Sequence, residues 1–181
     1  MIPAGPELTR LVPDTCRRIL DVGSRTGPAA AALRRLAAEG ERFDAFVFAG
    51  VLERLADPVE ALTLARSLAE PGAALVASVP NVGHVSVVRD LARGRFDADP
   101  VPAGFPDRNL RWFTRRSLVE ALDEAGWTVE SVQASSGEAP AGAAEFLALV
   151  EGWPSLDRES LAAARWVALA RAGWTGRGPD S

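Results

Sequence analysis

The stretch RILDVGSRTGPAAAALRRL, residues 18–36, decides the fold of this chain. It begins with a β-branched and aliphatic run, Arg18 to Val22, that stops at Gly23. An alanine- and leucine-rich segment follows, and Pro28 at its start suits a first helical turn, where the missing N–H has no intrahelical partner to lose. The pattern predicts a strand, a glycine turn and a helix that ends near Gly40.

The rest of the chain alternates further predicted strands with predicted helices. Asp57, Pro58 and Glu60 form a helix start of the capping-box kind, and Thr114 is placed to cap a later helix. The remaining predictions are strands at 44–49, 73–79, 127–133 and 165–170, helices at 57–69, 114–126 and 144–150, and a long loop at 97–109. This alternation predicts an α/β fold, a three-layer open sheet, mostly parallel, with helices on both faces.

Composition limits the class of protein. A chain of 181 residues with 48% hydrophobic and 24% charged residues predicts one domain, residues 1–172, followed by a loose tail at 173–181. The net charge of −4 gives no support to nucleic-acid binding, because a phosphate backbone calls for a basic stripe. No apolar run is long enough for a membrane span, and no signal peptide is recognisable, so we expect a cytoplasmic protein. The single Cys16 predicts neither an internal disulfide nor a thiolate metal site.

Several ordered motifs carry a family resemblance. The segment DVGSRTG, residues 21–27, follows a predicted strand and resembles the glycine motif of class I methyltransferases that depend on S-adenosylmethionine (SAM). Later segments resemble the family's "VLEHL.DP", "PGG", "S.PN..H", "GRF", "LRFFT" and "AGF" elements. They are VLERLADP at 51–58, PGA at 71–73, SVPNVGH at 78–84, GRF at 94–96, LRWFT at 110–114 and AGW at 125–127.

The resemblance implies a Rossmann-like class I methyltransferase fold, SAM as the cofactor and a small molecule as the ligand. It places the cofactor at the glycine turn and the residue before it, with these candidates: Asp21, Gly23, Arg25, Thr26 and Gly27. The residues alone leave two roles open for this turn. The glycines serve a strand-to-helix turn, or the turn binds an anion through free N–H groups and the side chains of Arg25 and Thr26.

The candidate catalytic residues are His84, Glu53 and Arg111. Glu53 and His84 follow predicted strands at the carboxyl edge of the sheet, where ligands bind in open α/β folds. An imidazole titrates near neutral pH and can act as a general acid or base, although a lone histidine also serves as a structural hydrogen bonder. Glu53 is alternatively an exposed ion pair with Arg54. Arg111 is a candidate contact for an acidic group.

Three departures from the family pattern bear on the cofactor. The family's strand order 3-2-1-4-5-7-6 includes a second strand, ending in an acid that holds the ribose, and a third strand near the adenine. Here residues 36–42 lead directly to the next predicted strand, so we expect strands two and three to be lacking. Arg25 replaces the central glycine of GxGxG, and a cation about 4 Å from the SAM sulfonium costs about 4 kcal/mol at an effective dielectric near 20. Arg54 replaces the histidine of "LEHL".

These departures lead to three functional hypotheses. The first is a methyltransferase-like protein with a degenerate SAM site that keeps a small-molecule cleft for a non-methyl reaction. The second is a non-catalytic partner or regulatory subunit of another enzyme. The third is a working SAM-dependent methyltransferase completed by a second subunit. Without strands two and three, the first strand becomes an edge, so we expect a homodimer or a protein partner at Ile19, Leu20 and Val22.

Overall fold

A computed structural model describes residues 8, 10–22, 29–95, 109–136 and 142–173. The strands of this part of the chain are β1 (Ile19–Val22), β2 (Phe43–Ala49), β3 (Ala69–Pro80), β4 (Trp127–Ser136) and β5 (Ala163–Ala172). Its helices are α1 (Ala29–Ala38), α2 (Pro58–Ser67), α3 (Val85–Ala92), α4 (Arg115–Glu124), α5 (Ala143–Val150) and α6 (Arg158–Ala162), with a 3₁₀ turn at Leu52–Arg54.

The described strands form one open sheet in the order β1-β2-β3-β5-β4. The first three strands are parallel, and β5 is antiparallel to both of its neighbours, so it alone runs in the opposite direction. This mixed sheet with helices confirms the predicted α/β, Rossmann-like architecture. Its order is that of the class I methyltransferase sheet without the second and third strands.

The short connection from β1 to β2 has no described counterpart of the family's second and third strands. The chain passes through α1 and then directly into β2, with no strand in the described residues between them. Asp44 fixes the start of both strands, because its carboxylate accepts hydrogen bonds from the backbone N–H groups of Arg17 at 2.7 Å and Arg18 at 2.8 Å. In the part of the chain that is described, β1 pairs with β2 alone and lies at the edge of the sheet.

The sheet buries a different cluster on each face. On one face, Phe46, Phe48, Leu75 and Trp166 join the apolar residues of α1, α2 and α4 in the main core. On the other face, Leu8 and Val12 pack against strand residues that include Val47. The alternation of side chains along β2 and β3 sends successive residues to the two cores, as expected for strands covered on both faces.

Some predicted boundaries were wrong. Helix α2 ends at Ser67, and β3 begins at Ala69, so the Pro71-Gly72 pair lies inside the strand instead of between the two elements. The pairing of Phe43 with Ala69 extends the strand backwards, and a register shift before Ala45 accommodates the extra residues. The tertiary pairing thus overrides the local turn signal.

Helices α3 and α6 were not predicted, whereas the other described helices were. Residues 97–108 of the predicted loop and 174–181 of the predicted tail lie outside the described residues. None of the helices that the structure describes is long and apolar enough to span a bilayer.

Candidate functional site

The carboxyl ends of β2 and β3 meet at a turn that begins with Gly50. Its φ of +64° is in the left-handed region that favours glycine, and its N–H donates to the Ser78 carbonyl at 3.1 Å. A Cβ at this position would lie 3.4 Å from Glu53 Oε1 and 3.5 Å from Arg165 Nη2. These are ordinary contact distances, so the positive φ is what favours glycine here, and the carboxylate of Glu53 and the guanidinium of Arg165 both lie beside this turn.

Glu53 is the most unusual polar residue at this edge. The residue is only 2% exposed, and its Oε2 has no hydrogen-bond partner among the described residues. Burial raises the pKa of this carboxyl above its usual value, while Arg165 and Arg54 act in the opposite direction. The alternative of an exposed ion pair with Arg54 is wrong, because Glu53 is buried and no ion pair joins the two described side chains.

Arg165 is the residue at this site that the sequence analysis missed. It lies near the start of β5, which runs antiparallel, so the start of β5 shares an edge with the end of β3. Its Nε donates to Ser78 Oγ at 3.0 Å, which orients the guanidinium. Burial lowers the pKa of Arg165, and Glu53 opposes this effect. The only signal in the sequence was a charged residue at the beginning of an otherwise apolar strand.

The charge of Glu53 gives a prediction about stability. In the folded protein the pKa of the Glu53 carboxyl lies above its ordinary value of 4.5. The contribution of this carboxyl to stability is therefore fully present below pH 4.5 and is lost as the pH rises through its pKa in the folded state. Glutamine cannot ionise, so we expect Glu53→Gln to be about 1 kcal/mol more stable than the parent at pH 8, with a smaller gain at pH 5. Urea unfolding at both pH values measures this difference.

The control for this experiment is Glu124→Gln, which removes an exposed carboxylate at the end of α4. We expect changes within about 0.5 kcal/mol at both pH values for this variant. A Glu53→Gln protein less stable than the parent at pH 8 would mean that the electrostatic attraction of Arg165 outweighs the cost of burying the charge.

His84 has a structural role in this arrangement. It is 5% exposed and caps the N-terminus of α3, with its Nδ1 accepting from Ser86 N at 3.4 Å and lying 2.7 Å from Ser86 Oγ. Burial lowers the pKa of the imidazole, which favours the neutral form. The structure thus supplies the structural hydrogen bonds that the sequence left open, and a catalytic role for His84 stays a prediction.

Arg111 reaches the site through its backbone. The N–H groups of Leu110 and Arg111 donate to the carbonyl of Glu53 at 2.7 and 2.9 Å, which ties this segment to the 3₁₀ turn. The exposed guanidinium donates to the carbonyl of Ala56. The backbones of Arg111 and Glu53 are therefore joined by a hydrogen bond, whereas the side chain of Arg111 binds the loop at Ala56 that follows the 3₁₀ turn.

The glycine turn lies largely outside the described residues. Asp21 is described, and it is exposed near the end of β1. Gly23, Arg25, Thr26 and Gly27 belong to the stretch 23–28 that the structure does not describe. Their assignment to the cofactor stays a prediction that rests on the resemblance.

A separate cleft opens between α4 and α6. Its volume is about 550 Å³, and its lining includes Thr114, Arg115, Glu120, Asp157 and Ser160. Hydrogen bonds from Ser160 lower the pKa of Asp157. None of the candidate catalytic residues lines this cleft, so the carboxyl edge around Glu53 and Arg165 is the better candidate site.

Comparison with known proteins identifies the family. Residues 35–132, more than half of the chain, match the family described as "Methyltransferase domain". The chain belongs to this family. Its sheet order is that of the class I SAM-dependent methyltransferases without strands two and three, and the predicted family and fold are confirmed.

The similar methyltransferases differ in how much of the chain they cover. The ubiquinone biosynthesis O-methyltransferase of Cereibacter sphaeroides strain ATCC 17025 is 33% identical over 91 residues, 50% of this chain and 36% of that protein. The matched part is therefore little more than a third of the length of the curated methyltransferase. The crystal structure of a SAM-dependent methyltransferase from Archaeoglobus fulgidus has a TM-score of 0.61 at 14% identity and covers 91% of both chains.

A second structural neighbour is the complex between the Haloferax volcanii Trm112 methyltransferase activator and the putative methyltransferase. It has a TM-score of 0.55 at 13% identity and covers 94% of this chain and 89% of that one. At these identities the structural neighbours show the methyltransferase fold alone.

Proposed function

We propose that this chain is a methyltransferase-family protein that does not bind SAM in the family's pose and keeps a small-molecule cleft for a non-methyl reaction in metabolite biosynthesis. The observation that carries the proposal is the position of β1 at the edge of the described sheet. The family holds the SAM ribose with an acid at the end of the strand beside β1. No described strand occupies that side, so the described residues do not fit SAM in this pose.

The sequence of the glycine turn adds a second obstacle to SAM. Arg25 stands where the family has its central glycine, and a side chain there obstructs the close approach of a ligand to the backbone. Its permanent charge also repels a sulfonium. The two faults are independent, because the lack of a described strand beside β1 affects the nucleoside and Arg25 affects the methionine end.

The carboxyl edge keeps groups that could act on a small molecule. Glu53 has an oxygen without a hydrogen-bond partner among the described residues and a raised pKa, and both properties suit a group that exchanges a proton with a ligand. Arg165, held by Ser78, supplies positive charge beside it. A ligand that offers a hydrogen-bond donor to Glu53 and a negative or acceptor group to Arg165 would satisfy both side chains.

Calorimetric titration of the purified chain with SAM and with S-adenosylhomocysteine tests the proposal. We expect no binding at concentrations that would reveal a dissociation constant of about 100 μM, corresponding to about −5.5 kcal/mol. Micromolar binding of either compound would overturn the proposal.

The variant Arg25→Gly separates the two obstacles in the same experiment. If the missing strands remove the nucleoside contacts, restoring the glycine leaves binding undetectable. Micromolar SAM binding by Arg25→Gly would instead show that Arg25 was the only obstacle and that the nucleoside side is complete.

A second candidate function is a working SAM-dependent methyltransferase whose site is completed by a second subunit. The exposed edge of β1 favours it, because another chain docked there would lie where the family has its second strand. The same edge would serve a non-catalytic partner that regulates another enzyme. SAM binding that appears only above the concentration at which the chain associates would support the completed methyltransferase.

A further inference from the structure

In the described part of the sheet, the open edge of β1 carries backbone groups suited to pairing. The carbonyl of Arg18 accepts from the N–H groups of Asp44 at 3.1 Å and Ala45 at 3.4 Å, so the backbone of Arg18 is directed towards β2. Because alternate residues of a parallel strand face the same neighbour, the backbone groups of Ile19 and Asp21 are directed to the open side. A strand edge of this kind is a template for another strand.

The N-terminal segment does not cover this edge in the described residues. Leu8 and Val12 are buried against the face of the sheet formed by β2 and β3. With these residues in place, Ile19 remains 45% exposed. Ile19 therefore lies exposed beside a strand edge whose open side can pair with another strand.

The charges beside Ile19 indicate what that chain is. Arg17 and Asp21 are two residues before and two residues after Ile19, and both are exposed. Neither side chain takes part in an ion pair with another described residue. A second copy of the same segment, running antiparallel, would place its Asp21 opposite Arg17 and its Arg17 opposite Asp21.

We propose that two copies of this chain associate through β1, antiparallel about a two-fold axis, with Ile19 opposite Ile19 and Asp21 of each copy opposite Arg17 of the other. The two-fold axis makes the contact self-complementary and closed, with the backbone pairing centred on Ile19. Arg17 contributes its side chain, because its N–H already donates to Asp44. The inference does not depend on the proposed function.

Other antiparallel registers fit the side chains less well. Moving the axis to Asp21 places two carboxylates opposite each other, and like charges in directly opposed positions destabilise a sheet. Moving it to Leu20 places each Ile19 opposite an Asp21 and leaves Arg17 without a charged partner. The register centred on Ile19 pairs the two exposed isoleucines with each other and brings together both sets of opposite charges.

Sedimentation velocity over a range of concentrations, with charge-swapped variants of the full chain, tests this interface. Arg17→Asp and Asp21→Arg each replace two attractive pairs by two repulsive ones, so we expect each to raise the dimer dissociation constant at least about tenfold. The double variant exchanges the charges and restores attraction, so its dissociation constant should return to near that of the parent. A purely structural role for either residue predicts no such rescue.

Disulfide trapping in a Cys16→Ser background tests the register. Ile19→Cys places the two cysteines directly opposite, with Cα atoms about 5.5 Å apart, and mild oxidation should give a covalent dimer. Asp21→Cys places them about 13 Å apart across the axis, too far for a disulfide. A parent that is monomeric at every concentration, a dimer insensitive to the charge swaps, or equal trapping of both cysteines would overturn the proposal.

Discussion

Replacing Asn81 by aspartate is expected to lower the free energy of unfolding by about 3 to 5 kcal/mol. Asn81 is fully buried after β3, and its Nδ2 donates to the carbonyls of Ser160 at 2.7 Å and Ala163 at 2.8 Å. Its Oδ1 accepts from Gly83 N at 2.9 Å. Aspartate has almost the same shape but presents an oxygen to two carbonyl oxygens, so it is repelled when ionised and leaves at least one carbonyl unpaired when protonated.

Asn81→Ala is expected to cost slightly less, about 3 kcal/mol, because it removes the three hydrogen bonds without adding a charge. The same change at Asn109 provides the control. Both polar side-chain atoms of Asn109 are buried without a hydrogen-bond partner among the described residues, so Asn109→Ala is expected to be nearly neutral. Urea unfolding curves of the three variants measure these differences, and equal losses at the two asparagines would contradict the assignment.

The Asn81 contacts also explain how the candidate site is assembled. They connect the end of β3 to α6 and to the start of β5, the strand that carries Arg165. The asparagine of the family's "PN" pair thus helps to position Arg165, more than eighty residues later in the chain, near Glu53. Loss of Asn81 should therefore disturb the site as well as the stability.

The predictable parts of the fold are those with local signals. The caps at Asp57 and Thr114 were identified from the sequence, and each side chain accepts a hydrogen bond from the backbone N–H three residues later. The sheet order was implied by the family resemblance, and the short segment after α1 indicated that there is no room for two more strands. In these cases the signal and the structure that it specifies lie within a few residues of each other.

The less predictable parts depend on long-range pairing. Arg165 meets Ser78 only because β5 is antiparallel and lies beside β3, which no local pattern reveals. The burial of Glu53 likewise depends on the turn at Gly50 and on the segment that contains Arg111. For this reason, Glu53 could be singled out from its position after a strand, but its burial and the nearby Arg165 could not be predicted.

Truncating Trp127 to alanine is expected to have the largest effect of any single substitution considered, a loss of about 4 to 5 kcal/mol. The chain has this tryptophan where the "AGF" element of the family has phenylalanine. The indole is buried, its ring centroid lies 5.6 Å from that of Phe46 at an interplanar angle of 70°, and its Nε1 donates to the Leu62 carbonyl at 3.0 Å. Alanine leaves a cavity between α2 and the sheet.

Trp166 provides a matched comparison that isolates the hydrogen bond. It is fully buried, and its Nε1 has no partner among the described residues. Phenylalanine at either position removes a similar volume, but at Trp127 it also breaks a buried hydrogen bond, whereas at Trp166 it removes an unpaired donor. We expect Trp127→Phe to cost about 1 to 2 kcal/mol more than Trp166→Phe in urea unfolding. Equal costs would mean that the bond to Leu62 adds nothing to packing, and that tryptophan at position 127 is a matter of volume alone.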